Sequence, residues 1–256
     1  MGVPRRLFLS GAAAAVSSAA AARAQSGGEA TAPWLIPAPP IGSAADELRI
    51  HTDWAQLGQY RTDNIRVRQL PQEARRVVFL GDSITRAWRV FHPEFFVQNG
   101  YVDRGISGQA TPQMLVRFRQ DVVSLRPEAV HIMGGTNDVA ENTGPFDSDA
   151  TKNNLMSMVD IARLHRLRII LAAVPPAATF PWRSVAEPVA KLRMLNGWIR
   201  DYATLNNFAF ADYAPLLDNG AGAMKPELTY DGVHPNRAGY LVMEQITTLA
   251  VAKALA

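Results

Sequence analysis

Val77-Val78-Phe79-Leu80-Gly81-Asp82-Ser83 joins a short apolar run to a glycine and two polar residues. The run shows no alternation of apolar and polar positions, so a strand built from it is buried on both faces. The Gly-Asp-Ser behind it reads as a strand-to-helix turn, with the helix starting near Ile84. The same unit recurs down the chain. Ala129-Val130-His131-Ile132-Met133 runs into Gly134-Gly135, the stretch from Arg168 to Val174 stops at Pro175-Pro176, and Phe208-Ala209-Phe210-Ala211 is a fourth run. A further strand is expected near Tyr101-Val102-Asp103. Residues 112–124, 150–165, 185–204 and 237–255 read as helices; Val189, Leu192, Leu195, Trp198 and Ile199 would share one helical face. Buried strands alternating with amphipathic helices predict an α/β protein, a three-layer α/β/α sandwich around a parallel sheet. Functional groups of such sheets gather at the C-terminal strand ends. Ser83, Gly108, Asn137 and Pro175 all fall just after predicted strands.

The chain has 256 residues, 48% of them hydrophobic and 19% charged, which suits one well-buried core. Its first segment belongs to export rather than to the fold. Arg5 and Arg6 precede Leu7-Phe8-Leu9, and an Ala-rich stretch ends at Ala22-Arg23-Ala24. A charged start, an apolar middle and an Ala-x-Ala end predict a signal over residues 1–24. The Arg-Arg-Leu-Phe-Leu order resembles a twin-arginine signal, so the expected location is periplasmic or secreted. The apolar stretch is too short and too rich in Ala and Ser to be read as a membrane anchor. Residues 25–45, with Pro37-Ala38-Pro39-Pro40, read as a flexible linker, and residues 46–256 as the globular domain. Residues 46–74 are polar with spaced apolar side chains (Trp54, Leu57, Tyr60) and predict a peripheral helix. Removing residues 1–24 takes away Arg5, Arg6 and Arg23 and no acid. The remaining bases then match the 23 acidic residues, and the +3 charge of the full chain falls to zero. No basic block or stripe points to nucleic acid. The absence of cysteine excludes disulfides, thiolate zinc sites and cysteine nucleophiles.

Four short motifs carry the candidate chemistry. Ser83 lies at a turn where a helix N-terminus aims N–H groups at developing negative charge. It could also serve only as a helix cap. Asp231-Gly232-Val233-His234-Pro235 places a carboxylate three residues before an imidazole, close enough to fix its tautomer while the other ring nitrogen faces a serine. A surface turn or a metal pair uses the same residues, although no second His or carboxylate cluster is near. Gly108 can present its backbone N–H, and Asn137 its side-chain amide, to an oxyanion shared with the Ser83 N–H. Asp82 reads as a structural hydrogen-bonder, and His131, inside an apolar run, as a core histidine. Trp88, Phe180, Pro181 and Trp182 lie near strand ends or loops and could line a site or pack in the core. The loop from Val139 to Ser148 could shape one side of the pocket. No Gly-Lys-Ser/Thr, GxGxxG or GxSxG pattern occurs, which argues against phosphate loops and the nucleophile elbow.

Taken together, these blocks resemble the SGNH (GDSL-type) hydrolases. The resemblance runs from Gly81-Asp82-Ser83-Ile84-Thr85 through Arg104-Gly105-Ile106-Ser107-Gly108 and Gly135-Thr136-Asn137-Asp138 to Asp231-Gly232-Val233-His234-Pro235, covering roughly residues 76–250. Ile84 stands where the family often has leucine. The resemblance implies a flavodoxin-like five-stranded parallel sheet, with no metal and no cofactor. It implies Ser83, His234 and Asp231 as catalytic residues and Ser83, Gly108 and Asn137 as the oxyanion hole. The expected activity is hydrolysis of carboxylic esters through an acyl-serine, on short-chain, notably acetyl, esters, including those of carbohydrates. The alternatives are a lysophospholipase- or thioesterase-type lipid acyl hydrolase, an acyltransferase, and a non-catalytic carbohydrate-binding module. The sequence leaves the oligomeric state open.

Overall fold

Val77–Gly81 forms strand β1 at the interior of a parallel sheet, and all five of its residues are buried. The computed structural model describes residues 43–256. The expected export signal, and the linker up to residue 42, lie outside the described residues. On one side of β1 runs β2 (Tyr101–Gly105), with Val77 opposite Tyr101; on the other runs β3 (Ala129–Ile132), with Val77 opposite Ala129. β4 (Arg168–Ala172) and β5 (Ala209–Ala211) follow, giving the order β2-β1-β3-β4-β5 with every pairing parallel. This is the flavodoxin-like order. The chain first winds away from β1 to β2 and then back past it to β3, so the strand ends of β1 and β3 flank a crevice.

Helices cover the sheet in two groups. α1 (Ala44–Asp53) and α2 (Arg61–Arg68) precede β1. α3 (Ser83–Phe91) and α4 (Pro93–Asn99) connect β1 to β2, and α5 (Thr111–Asp121) connects β2 to β3. α6 (Thr136–Val139) and α7 (Ser148–Leu164) lead to β4, and α8 (Pro188–Leu205) leads to β5. α9 (Ala214–Leu217) and the long α10 (Arg237–Leu255) close the chain. α3 packs with α4 and α10, whereas α5 packs with α7, and α7 and α8 pack against β4. The three-layer sandwich read from the sequence is therefore the observed architecture.

The core on the α3 side is aromatic. The Phe79 ring lies 5.8 Å from Trp88, 5.3 Å from Phe96, 5.0 Å from Tyr101 and 4.6 Å from His131, centroid to centroid. Truncating such a side chain costs about 3–5 kcal/mol. His131 is a core histidine, as its apolar run suggested. Its Nε2 lies 2.9 Å from the Tyr213 hydroxyl, which lies 2.7 Å from Thr247 Oγ1. Burial pushes the His131 imidazole down to about 3, so it is neutral near pH 7.

Two expectations shift for local reasons. The single peripheral helix becomes two, because the Asp53 carboxylate accepts the N–H groups of Leu57 (2.7 Å) and Gly58 (2.8 Å) and so turns the chain. The apolar run from Arg168 leaves the sheet after Ala172. Beyond it the Asn196 side chain takes the place of a neighbouring strand, accepting from Val174 N and donating to Val174 O at 2.9 Å each. Among the described residues no helix is long and apolar enough to cross a membrane.

Candidate active site

Ser83 opens α3 at the end of β1, and its neighbour does the capping. The Asp82 carboxylate accepts the Ile84 N–H at 2.9 Å, satisfying the first turn of α3. The Ser83 hydroxyl instead lies 2.9 Å from Nε2 of His234. Gly105, at the end of β2, lets the sheet edge approach this turn. A Cβ there would collide with Arg86 N and sit 2.7 Å from Asp82 O. Burial pushes the Asp82 carboxyl up to about 6, opposed by the Ile84 N–H and the charge of His234.

His234 and Asp231 form one compact turn before α10. Asp231 Oδ1 accepts the backbone N–H groups of Val233 (3.0 Å) and His234 (2.8 Å), while Oδ2 lies 2.8 Å from the imidazole Nδ1. The carboxylate selects the tautomer with hydrogen on Nδ1, which turns the Nε2 lone pair toward Ser83. Burial alone would raise the Asp231 carboxyl. The hydrogen bonds and charge of His234 outweigh it and hold the group below the usual carboxylate range. His234 is 3% exposed and Ser83 9%, so both side chains of the pair are largely buried at the end of β1.

The loop after β2 brings Gly108, at φ +76°, beside the segment after β3 that carries Asn137. Gly suits that left-handed position because it has no Cβ. The Asn137 amide nitrogen donates to Gln109 O at 3.0 Å and to Asp82 Oδ2 at 3.2 Å, and its Oδ1 accepts from Asn142 at 2.7 Å. The amide therefore presents its N–H edge to Asp82, the residue before Ser83. Its hydrogens meet protein acceptors, so an oxyanion would compete for a donor already in use. Asp138 has a separate task. It accepts the N–H of Thr111 (2.9 Å) and its hydroxyl (2.5 Å), tying the Asn137 segment to the start of α5.

Several residues that support this arrangement escaped the sequence reading. Arg117, fully buried on α5, donates to Gly81 O (2.9 Å) and Gln109 Oε1 (2.6 Å) and pairs with Asp121 at 3.2 Å. Asn64 on α2 completes Asp121 at 2.7 Å. One guanidinium thus holds both the end of β1 and the loop behind Gly108. The detectable signal was an Arg and an Asp four residues apart on the same stripe as Met114 and Phe118. Asn142 is another, and so is its bond to Trp182. Trp182, 40% exposed, donates its indole N–H to Asn142 Oδ1 at 3.0 Å, and its ring centroid lies 5.8 Å from that of His234. Residues 179–185 line a cavity of about 460 Å³. Of the aromatic residues offered as site lining, Trp182 borders His234. Trp88 does not: it is fully buried, stacked on Tyr240 at 5.6 Å. It takes the core-packing alternative, because helical spacing turns Trp88 inward from α3 toward Phe79. Among the described residues no cluster of three or more His, Cys, Asp or Glu side chains forms a metal site.

A doubly wound parallel sheet with a Gly-Asp-Ser turn at the end of β1 and an Asp-His turn before the last helix is the framework of an acyl hydrolase. The family model of the GDSL-like lipase/acylhydrolase family matches residues 79–242. A GDSL-like lipase from Bacteroides thetaiotaomicron is 43% identical, covering 79% of this chain and 100% of that one, at a TM-score of 0.76. The chain belongs to the GDSL-like lipase/acylhydrolase family and is of the ester hydrolase class. Axe2, an acetylxylan esterase from Geobacillus stearothermophilus, shares the fold at a TM-score of 0.55, with 21% identity over 69% of this chain and 94% of that one. YqeF, an uncharacterized lipoprotein of Bacillus subtilis, is 32% identical over 78 residues. That match covers 29% of this chain and spans 32% of the relative's length.

Proposed function

We propose that this protein is an exported serine esterase that cleaves short-chain carboxylic esters through an acyl-Ser83 intermediate. The observation that carries the reading is the hydrogen-bonded series Ser83 Oγ, His234 Nε2, His234 Nδ1 and Asp231 Oδ2, with contacts of 2.9 and 2.8 Å. In the first half-reaction Ser83 Oγ bonds to the ester carbonyl carbon as its proton passes to His234 Nε2. The carbon–oxygen bond to the alcohol then breaks, and the leaving oxygen takes that proton. In the second half, water gives a proton to His234 and its oxygen bonds to the acyl carbon. The acid departs and Ser83 regains its hydrogen. Asp231 orients the imidazole and stabilises its charged form. The N–H groups of Ser83 and Gly108 and the Asn137 amide serve the tetrahedral oxyanion, with Asn137 exchanging one of its present acceptors for it.

The burial of Ser83, 9% exposed, supports a small acyl group as its substrate. The half-exposed Trp182 beside His234 offers a flat apolar face of the kind on which sugar rings stack, which supports acetylated carbohydrate as the substrate class. Export rests on the Arg5-Arg6 signal pattern and agrees with the lipoprotein name of the Bacillus subtilis relative. The test is hydrolysis of p-nitrophenyl esters from acetyl to palmitoyl by the wild type, Ser83→Ala and His234→Ala. Turnover peaking at acetyl or butyryl and abolished in both variants is expected. A maximum at long chains would move the substrate to lipid acyl esters. Activity retained by a folded Ser83→Ala would reject the mechanism.

A further inference from the structure

We infer that Asn142 is a positioning residue for the oxyanion amide, and that Trp182 completes it as the outer end of a hydrogen-bonded relay running Trp182–Asn142–Asn137. The inference rests on the proposed role of Asn137. Each bond runs in one direction. The Trp182 indole N–H donates to Asn142 Oδ1 at 3.0 Å, and Asn142 Nδ2 donates to Asn137 Oδ1 at 2.7 Å, leaving Asn137 Nδ2 as the donor at the site end. Donation into an amide oxygen polarises that amide and makes its own N–H groups stronger donors, so the two upstream bonds reinforce the last.

Asn142 is also anchored to the segment it serves. Its backbone N–H donates to Asn137 O at 3.0 Å, so main chain and side chain bracket Asn137 together. Asn142 Nδ2 reaches Gly108 O at 3.4 Å, touching the second proposed oxyanion element. The preceding residue, Glu141, adopts a left-handed backbone (φ +59°) unfavourable for a non-glycine residue, and its carboxylate pairs with Lys191 of α8 at 3.1 Å. That conformation turns the chain back so that Asn142 faces Asn137. Such strain persists only where the surroundings enforce it. The relay joins loops from three strand ends: Gly108 after β2, Asn137 and Asn142 after β3, and Trp182 after β4. A substrate group settling against Trp182 therefore acts on the amide that meets the developing charge.

Steady-state kinetics on p-nitrophenyl acetate test this with Asn142→Ala, Trp182→Phe, Asn137→Ala and the Asn137→Ala/Asn142→Ala double variant, with thermal unfolding as the control for folding. Asn142→Ala is expected to lower kcat ~10- to 100-fold with KM little changed, less than the ~100- to 1000-fold loss for removing the donor itself. Trp182→Phe keeps a ring beside His234 and lowers kcat in the same direction by a smaller factor. In the Asn137→Ala background, loss of Asn142 is expected to have no further effect on kcat, because its action passes through Asn137. Multiplicative losses in the double variant would overturn the relay. So would an unchanged kcat in Asn142→Ala beside an impaired Asn137→Ala. Full activity in Asn137→Ala with an inactive Ser83→Ala would reject the relay alone and leave the serine mechanism standing. Activity in Ser83→Ala would instead reject the mechanism beneath it. If Asn142→Ala fails to fold, Trp182→Phe decides, and wild-type kcat there overturns the relay.

Discussion

One carboxylate of Asp231 holds His234 twice, by its backbone N–H through Oδ1 and by its imidazole Nδ1 through Oδ2, both at 2.8 Å. The residue that orients the ring therefore also builds the turn that carries it. Asp231→Asn keeps an oxygen for the backbone N–H groups but sets an amide N–H against Nδ1, which favours the wrong tautomer. The expected result is a loss in kcat of roughly 10³–10⁴-fold with the fold retained. Asp231→Ala loses the turn as well and is expected to lower stability by about 1–3 kcal/mol in urea unfolding. An Asp231→Asn enzyme with near wild-type kcat would remove Asp231 from the proposed mechanism.

Gly105 is a second exacting position, because backbone rather than side chain surrounds it. An added methyl would collide with Arg86 N and lie 2.7 Å from Asp82 O, so β2 and the first turn of α3 must separate. Overpacking of this kind costs about 1–3 kcal/mol. Gly105→Ala is expected to show that loss in thermal unfolding, together with reduced kcat, because the displaced turn carries Ser83. A stable, fully active Gly105→Ala would show that the turn tolerates the shift.

The fold was legible because buried parallel strands leave a coarse mark. β1 is an unbroken apolar run and β3 an apolar run carrying only the buried His131, both leading into glycine, and the order β2-β1-β3-β4-β5 agrees with the family resemblance. The meeting of Ser83, His234 and Asp231 was anticipated because each belongs to a short motif at a strand end or before a helix. The supports of the site were not, because their partners are distant in sequence. Arg117 reaches Gly81 across 36 residues and Trp182 reaches Asn142 across 40. No local pattern encodes which carbonyl a guanidinium meets. For Trp88 the sequence left site lining and core packing open: a tryptophan five residues after the serine lies near the site in sequence yet on the inward face of α3.

Arg117 gives a third prediction. Its pairing with Asp121 is fully buried, and its other donors hold Gly81 O and Gln109 Oε1. Arg117→Met leaves Asp121 buried with its charge uncompensated and is expected to cost about 3–5 kcal/mol in urea unfolding. Removing both charges in the double variant Arg117→Met/Asp121→Leu is expected to recover part of that stability. It would not restore kcat, because the Gly81 and Gln109 contacts remain lost. Arg117→Lys keeps the charge without the fork and is expected to fall between wild type and Arg117→Met. Equal kcat in wild type and a folded double variant would show that Arg117 matters only to the core.

Asp103 gives the pH dependence. Its carboxyl is buried on β2, where Oδ1 accepts the Gly105 N–H at 2.8 Å, and burial pushes it up to about 6. In the unfolded chain an aspartate titrates near 3.9. Between those values the folded protein holds a proton that the unfolded chain has released, so this group's contribution to stability falls as pH rises from about 4 to about 6 and stays low above that. Asp82 acts in the same direction, whereas Asp231, held below the usual range, gives stability that is lost on acidification. Asp103→Asn keeps the acceptor for Gly105 N and removes the ionisation. It is expected to be more stable than wild type by about 1–3 kcal/mol at pH 7.5, with the difference shrinking toward zero near pH 4. Urea unfolding of both proteins at the two pH values measures it. A difference of the same size at pH 4 and pH 7.5 would mean that packing, not the buried charge, sets the effect of Asp103.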